Sequence, residues 1–327
     1  MATYQGIKGR TVQNLASDPP AAVGEGQVWF NTTSDTLKTS IGVGAWAAAN
    51  TYPTVVAYVS NCGTQTASIC ASGKATNPIP GSPTTTACAE YDGTSWAAGG
   101  AVGTARYGTG TSGVGTQAAA LFIGGYEPAN SVKTEEYNGS TWTEVNSLNT
   151  TQLYQMQSSG GPAAAAVAVS GHPTSVCEEY DGTSWATNPT ALNAAGYFGG
   201  GAGTQTAALA AAGQNRTTNA EEYNGSAWSA VNAFPTATSR IAMCGIQTAA
   251  IYAGGTSPPP SIVNTSGNYD GTSWSAGPSV GTAREIMGAA GTQTKALMVG
   301  GGNPAPTAND LVEEFNLVAT IQTVTST

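Results

Sequence analysis

The chain has 327 residues, of which only 9% are charged and 40% hydrophobic, with 43 glycines and a net charge of −9. There is no run of Lys or Arg, which excludes the electrostatic footprint of a nucleic-acid-binding protein. No stretch reaches membrane-spanning length, and the five cysteines, odd in number and without a CxxC, argue against a zinc site and a fully paired disulfide framework. Free thiols, a soluble product and folding in a cytoplasm are expected.

Residues 1–45 read as an N-terminal arm. Its opening, MATYQGIKGR, has no apolar core of the kind a secretion signal needs. A Pro/Ala/Gly stretch, Ser17–Gln27, leads into Val28–Ser40, which reads as a small hairpin turned at Asn31–Asp35. Trp46 follows in IGVGAWAAAN, ten residues ahead of Val56.

From there on a repeat dominates. An apolar strand ending in glycine is followed about 20 residues later by EYDGTSW at Glu90–Trp96. The unit returns as EYNGSTW at Glu136–Trp142, EYDGTSW at Glu179–Trp185, EYNGSAW at Glu222–Trp228, NYDGTSW at Asn268–Trp274 and a frayed EFNLVAT at Glu314–Thr320. The aromatic positions Tyr91, Tyr137, Tyr180, Tyr223, Tyr269 and Phe315 lie 46, 43, 43, 46 and 46 residues apart. The first half of the unit is a Gly-Thr-Gln wording at Gly63, Gly115, Gly203 and Gly291, with Gly-Ile-Gln at Gly245 and GGPAAAAVAVSG from Gly160 in the third repeat. Counting ten residues on from each Trp reaches a further short strand near Arg106, Gln152, Ala195 and Arg284, with Arg240 displaced by two. Each unit therefore holds four short strands. A unit of this length cannot bury its own apolar face, so neighbours must supply the other wall. The expectation is all-β: a six-bladed kelch-like β-propeller over residues 46–327 with a short N-terminal arm.

The glycine-ended strand followed by Tyr-Asp/Asn and then Trp resembles the kelch repeat, over about residues 51–320. The leader resembles the opening segments of phage tail and structural proteins, and the GTQTAAL…EEYNGSxW wording resembles kelch-type virion proteins of marine bacteriophages. That resemblance implies a non-enzymatic virion structural protein (capsid decoration, neck or tail appendage) that is assembled in the host cytoplasm. Other virion proteins would bind the arm, and the propeller would be displayed. A carbohydrate-binding adhesin for host-surface glycan is the alternative, and a sialidase-like hydrolase a third.

The sixth unit lacks its Trp. Either Trp46–Ala49 supplies the missing outer strand, or Thr320–Val324 does; both tie the ends of the chain together.

Catalytic chemistry finds little footing. Copper oxidases resembling galactose oxidase require two histidines, and this chain has one, His172, read as an exposed turn residue. The shortage of His also removes a Ser/His/Asp triad, and no phosphate-binding loop is present. No cofactor or metal is expected. Adjacent Asp-Gly and Asn-Gly pairs, such as Asp92–Gly93 and Asn138–Gly139, read as tight turns; sialidase turns separate the two residues. Arg106, Gln152, Arg240 and Arg284 are the candidate ligand-binding residues, since they begin inner strands and could converge on the axis. The competing reading ties each to a neighbouring loop or Glu. Tyr107, Tyr154, Tyr197 and Tyr252, outside the repeat position, are candidates for sugar stacking or for core. The paired acids Glu135–Glu136, Glu178–Glu179, Glu221–Glu222 and Glu313–Glu314 read as solubilising surface charge.

Overall fold

The computed structural model describes residues 12–19, 27–75, 83–110, 113–157, 160–171, 174–193, 196–214, 217–303 and 307–324. Among them there is no helix. His172 lies outside the described residues.

Five four-stranded antiparallel sheets follow one another. The first runs Ser60–Thr64, Ala67–Ala71, Cys88–Tyr91 and Trp96–Ala98, in that order from inside to outside. The next four begin at Val114–Thr116, Met156–Gln157, Gly200–Thr204 and Ala242–Ile246. A sixth sheet starts with Gly288–Thr292, Lys295–Val299 and Val312–Thr323, and then takes Thr36–Ala48 from the other end of the chain. The N-terminal sequence therefore supplies the strand outside Val312–Thr323, and residues 320–323 continue that strand without forming another.

The wording of the repeat has a structural reason at each letter. Gly63, Gly115, Gly203, Gly245 and Gly291 sit at positive φ where the first two strands turn, and a Cβ there would stand 2.1–2.4 Å from a carbonyl oxygen across the hairpin. The Gln that follows them in four of these turns donates across to the preceding sheet. Gln117 reaches the Ser68 and Tyr91 carbonyls, Gln205 those of Ala166 and Tyr180, and Gln293 those of Ala250 and Tyr269. Gln65 bridges the ends of the repeat array, donating to Ala296 and Phe315.

The repeat tyrosine stacks on its own Trp, with centroids 4.8 Å apart for Tyr91–Trp96 and 4.6 Å for Tyr269–Trp274. In four repeats its hydroxyl donates to the Glu that directly precedes the aromatic position of the sheet before it, as for Tyr137 to Glu90 at 2.6 Å, Tyr269 to Glu222 at 2.9 Å, and Tyr91 to Glu314 at 2.9 Å. Burial, and then the carboxylate, push the Tyr137 hydroxyl up to about 12. In the sixth repeat the aromatic residue is Phe315, which has no hydroxyl, and the position that would hold its acceptor is Asn268. The chain lacks both halves of this bond together. Trp46 packs 5.2 Å from Phe315 and donates to Ser266, as Trp185 donates to Thr134. Trp46 therefore occupies the slot the sixth repeat leaves empty.

The paired glutamates do not form a solvated surface. Glu135, Glu178, Glu221 and Glu313, the first of each pair, are 0–7% exposed. Each accepts backbone N–H groups from the loop leading into its own sheet: Gly103 for Glu135, Asn149 and Thr150 for Glu178, Asn193 for Glu221, Gly281 for Glu313. A buried carboxylate needs such partners, and each sheet supplies them from its own sequence.

The Asp-Gly and Asn-Gly pairs are turns. Asp92 accepts from the N–H groups of Thr94 and Ser95, and Asn138 from those of Ser140 and Thr141. These bonds hold the carboxyls of Asp92, Asp181 and Asp270 below the model-peptide value of 3.8. A carboxyl with a depressed folded pKa stabilises the fold above its unfolded pKa and loses that contribution as pH falls through its folded pKa. The triple variant Asp92→Asn, Asp181→Asn, Asp270→Asn is expected to match the parent at neutral pH and to lose stability less steeply below 3.8. Urea denaturation at stepped pH checks this; parallel acid limbs would refute it.

The apolar cores lie between successive sheets. One joins Val56, Val59, Cys70 and Tyr91 to Leu297, Val299 and Val312; another joins Leu209 and Ala211 to Ile241, Met243 and Tyr252. The five cysteines are free and buried within such layers, where desolvation raises the thiols of Cys62, Cys88, Cys177 and Cys244 to about 12 and that of Cys70 upward as well.

Contacts divide the chain into two compact units, residues 46–315 and residues 1–45 with 316–327. The sequence-read arm thus shares its unit with the C-terminal residues, because Thr36–Ala48 and Val312–Thr323 run side by side. In this smaller unit Val28–Asn31 pairs with Thr36–Thr39 as a hairpin, and Gln13–Leu15 adds in parallel. Asp18 accepts from Trp29 Nε1 and Asn31 Nδ2, and Asn31 Oδ1 accepts from Thr33 and Ser34, which fixes the turn.

Candidate binding site

Of the four candidate residues, burial removes three. Arg106 is fully buried, with its Nη1 2.8 Å from Glu135 and its guanidinium over the Phe122 ring. Arg284 is fully buried as well, bonded to Glu313 and to the carbonyls of Gly300 and Leu311. Gln152 is fully buried beside Glu178. These side chains tie the segment leading into the first strand of each sheet to its third strand. Tyr252 is core, packed on Phe234 and Trp274.

Arg240 is different. Its side chain is 37% exposed, its Nη1 lies 3.1 Å from both carboxylate oxygens of Glu285, and its guanidinium stands over the Phe198 ring. Burial would lower the guanidinium pKa, but Glu285 outweighs it and the net shift is upward.

Arg240 belongs to a collar at the start of the inner strands. Tyr58, Tyr154, Phe198, Arg240 and Ile286 all have φ between 54° and 62°, and Gly108 has φ 70°. Their backbones bond head to tail: Tyr58 N–H to Ile286, Ile286 to Arg240, Arg240 to Phe198, Phe198 to Tyr154 and Tyr154 to Gly108, at 2.5–3.1 Å. Left-handed backbone in five residues with side chains is costly and persists only where the surroundings impose it; here each is held by a bond on either side or by the packing of its ring. Gly108 is the exception in side chain for a steric reason, since a Cβ there would meet the Tyr154 ring at 2.6 Å.

The collar side chains form an aromatic cluster. Tyr154 stacks on Phe198 at 3.9 Å, Tyr58 lies 5.4 Å from both Tyr154 and Tyr107, and Tyr107 meets Tyr126 at 5.3 Å. Tyr58 is buried, and desolvation raises its hydroxyl to about 12. Tyr107, Tyr126, Tyr154, Tyr197 and Phe198 remain half-exposed. Lys74 places its ammonium 4.4 Å above the Tyr107 ring. Between Tyr58, Tyr154, Phe198 and Arg240 is a dimple of about 10 Å³, room for one water.

The inner strands run from this collar to the Gly-Thr turns, roughly 16 Å away at 3.3 Å per residue. There a wider cavity of about 460 Å³ is lined by Gly63, Thr64, Gly115, Thr116, Gly291 and Thr292 among others, with no charged side chain. Among the described residues no three His, Cys, Asp or Glu stand together as a metal site.

The sequence pointed at Arg240 but gave no sign of its partners. A position recurring two residues after Arg106, Gln152 and Arg284, and filled by Gly108, Tyr154 and Ile286, was the available signal; only the glycine marks its unusual backbone.

No protein-family model matches the chain, and no curated protein matches it in sequence. Solved structures do match in fold. One titled "Structure of YjhT" aligns with a TM-score of 0.64 at 11% identity, covering 84% of this chain and 99% of that one. At that identity the likeness concerns fold alone, and with the four-stranded sheets it supports a β-propeller.

Proposed function

We propose that the chain is a six-bladed kelch-like β-propeller serving as a non-enzymatic structural protein of a bacteriophage particle. The N-terminal segment would bind other particle proteins, and the propeller would present its collar face to proteins or host-surface glycan. The observation that carries this reading is where the charges lie. Arg106 and Arg284, the groups best suited to hold a substrate carboxylate, are tied inside their own sheets by Glu135 and Glu313. What remains partly accessible at the collar is a set of half-buried rings packed rigidly on one another, suited to contact. Many copies held on one particle convert weak contacts into firm attachment by raising the effective concentration. The wording of the repeats and leader, which resembles kelch-type virion proteins, supplies the phage setting.

The test compares the full chain with a variant lacking residues 1–27, which keeps the Val28–Asn31 strand. The full chain should be found in purified particles by mass spectrometry. The shortened chain loses the Asp18 and Gln13–Leu15 contacts of its hairpin but should keep the cooperative melt of residues 46–315, and should be missing from particles. Absence of the full chain from particles would end the virion reading, and incorporation of the shortened one would end the anchoring role.

A further inference from the structure

We propose that residues 317–323 are an interface between two copies of this chain: the open edge of the strand Val312–Thr323 pairs antiparallel with the same edge of a second copy, about a two-fold axis at Thr320. This goes beyond the display reading and stands without it, since association is measured on the isolated protein.

The register of the strand comes first. Beside Thr36–Ala48 it is fixed along its length. The Ala49 N–H donates to the Val312 carbonyl, Thr320 Oγ1 to the Ile41 carbonyl, Lys38 Nζ to the Thr323 hydroxyl and the Val324 N–H to the Leu37 carbonyl. In each of these bonds the two residue numbers have the same sum, so the pairing keeps one register from end to end. The other side is covered only in part, because the neighbour there, Lys295–Val299, has five residues against twelve. Gln65 donates to the Ala296 and Phe315 carbonyls as Gln117 donates to Ser68 and Tyr91, which face each other. Phe315 therefore faces Ala296, and from Leu317 on no strand among the described residues lies on that side. Hydrogen-bonding groups alternate sides along a strand. Val312 and Val324 turn theirs toward Thr36–Ala48, so Leu317, Ala319, Ile321 and Thr323 turn an N–H and a carbonyl to the open side.

Such an edge is ordinarily blunted by a Lys, a Pro or a bulge. Here residues 316–323 read NLVATIQT, without a charge, a Pro or a Gly. Val318 and the Val43 it faces are 57% and 43% exposed. Unpaired backbone among β-branched, uncharged side chains is a template for another strand.

The wording of the edge selects a second copy as that strand. The antiparallel register that pairs all four open residues is centred on Thr320. It sets Leu317 opposite Thr323 of the second copy, Ala319 opposite Ile321, Val318 opposite Gln322, and Thr320 opposite itself. Apolar and Thr–Thr cross-strand pairs are favourable, and no like charges meet. Elsewhere a net charge of −9 sets one copy against another, and this edge is exempt. The contact is isologous and closes at two copies.

Light scattering on the full chain at micromolar concentration should give twice the 32.6 kDa of one copy. Thr320→Lys and Thr320→Asp each place like charges face to face at the axis, and each should weaken association at least about tenfold. An equimolar mixture of the two should restore it. Thr320→Cys gives an independent reading. A pair that shares no hydrogen bond brings its Cα atoms to about 4.5 Å, within disulfide reach, so mild oxidation should yield a covalent dimer. Val318→Cys, whose copies would stand about 13 Å apart in this register, should not cross-link. The proposal is overturned by a monomer or any mass other than the dimer, by Thr320→Lys copies that associate as the parent does, or by cross-linking at Val318→Cys as ready as at Thr320→Cys. A monomer that takes a strand from another protein counts against it equally.

Discussion

Arg106→Met will destabilise the protein by roughly 3–5 kcal/mol, the range for breaking a buried ion pair from one side. The fall in melting temperature should be on the order of 10 °C. The reason lies in what is left behind. Glu135 would keep its bonds to Gly103 and Thr104 but lose the positive charge 2.8 Å away, at a site closed to water. The double variant Arg106→Met, Glu135→Leu should recover part of the loss, since it removes the stranded charge, though it also orphans the Gly103 N–H. By contrast Arg240→Ala should cost less than Arg106→Met, because the Arg240 guanidinium is partly in water and Glu285, though buried, keeps the bond it accepts from Thr256. Urea denaturation of the three variants checks the ranking. An Arg106→Met loss no larger than that of Arg240→Ala would show that the Arg106–Glu135 pair is not sheltered.

Removing residues 1–49 will have a larger effect still: a chain that fails to fold cooperatively or precipitates. This cut takes away Thr36–Ala48 and exposes the edge of Val312–Thr323, 12 residues of unpaired backbone open to association. It also removes Trp46 from Phe315 and Ser266, and the Ala49 N–H from the Val312 carbonyl. Circular dichroism melting and light scattering decide the matter. A soluble monomer that melts like the full chain would mean that the strand from the N-terminal sequence does not hold the sixth sheet.

Much of this architecture is legible in the sequence because its signals are local. An Asp-Gly or Asn-Gly turn needs only its own four residues, and an aromatic spacing of 43–46 residues reports the repeat directly. Trp46 could be matched to a missing Trp because the other five repeats carry one. The buried glutamates were misread for the opposite reason. Glu135 and Arg106 lie 29 residues apart, and a Glu-Glu pair resembles surface until its partners are known. The Gln clamps were visible as wording, but the carbonyls they reach are 24–49 residues earlier, or on the far end of the chain for Gln65. The collar was the hardest element to foresee, since left-handed backbone at Tyr58, Tyr154 and Phe198 is imposed by the ring and not by the residues themselves.

That collar has an electrostatic consequence. From Gly108 through Tyr154, Phe198, Arg240 and Ile286 to Tyr58, five N–H groups point the same way, each toward the carbonyl of the residue in the sheet before it. Dipoles laid nose to tail along such an arc turn as they go and largely offset one another, unlike those of a helix, which add along its axis. The charge of the collar is therefore set by its side chains, Arg240, Glu285 and Lys74, more than by its backbone.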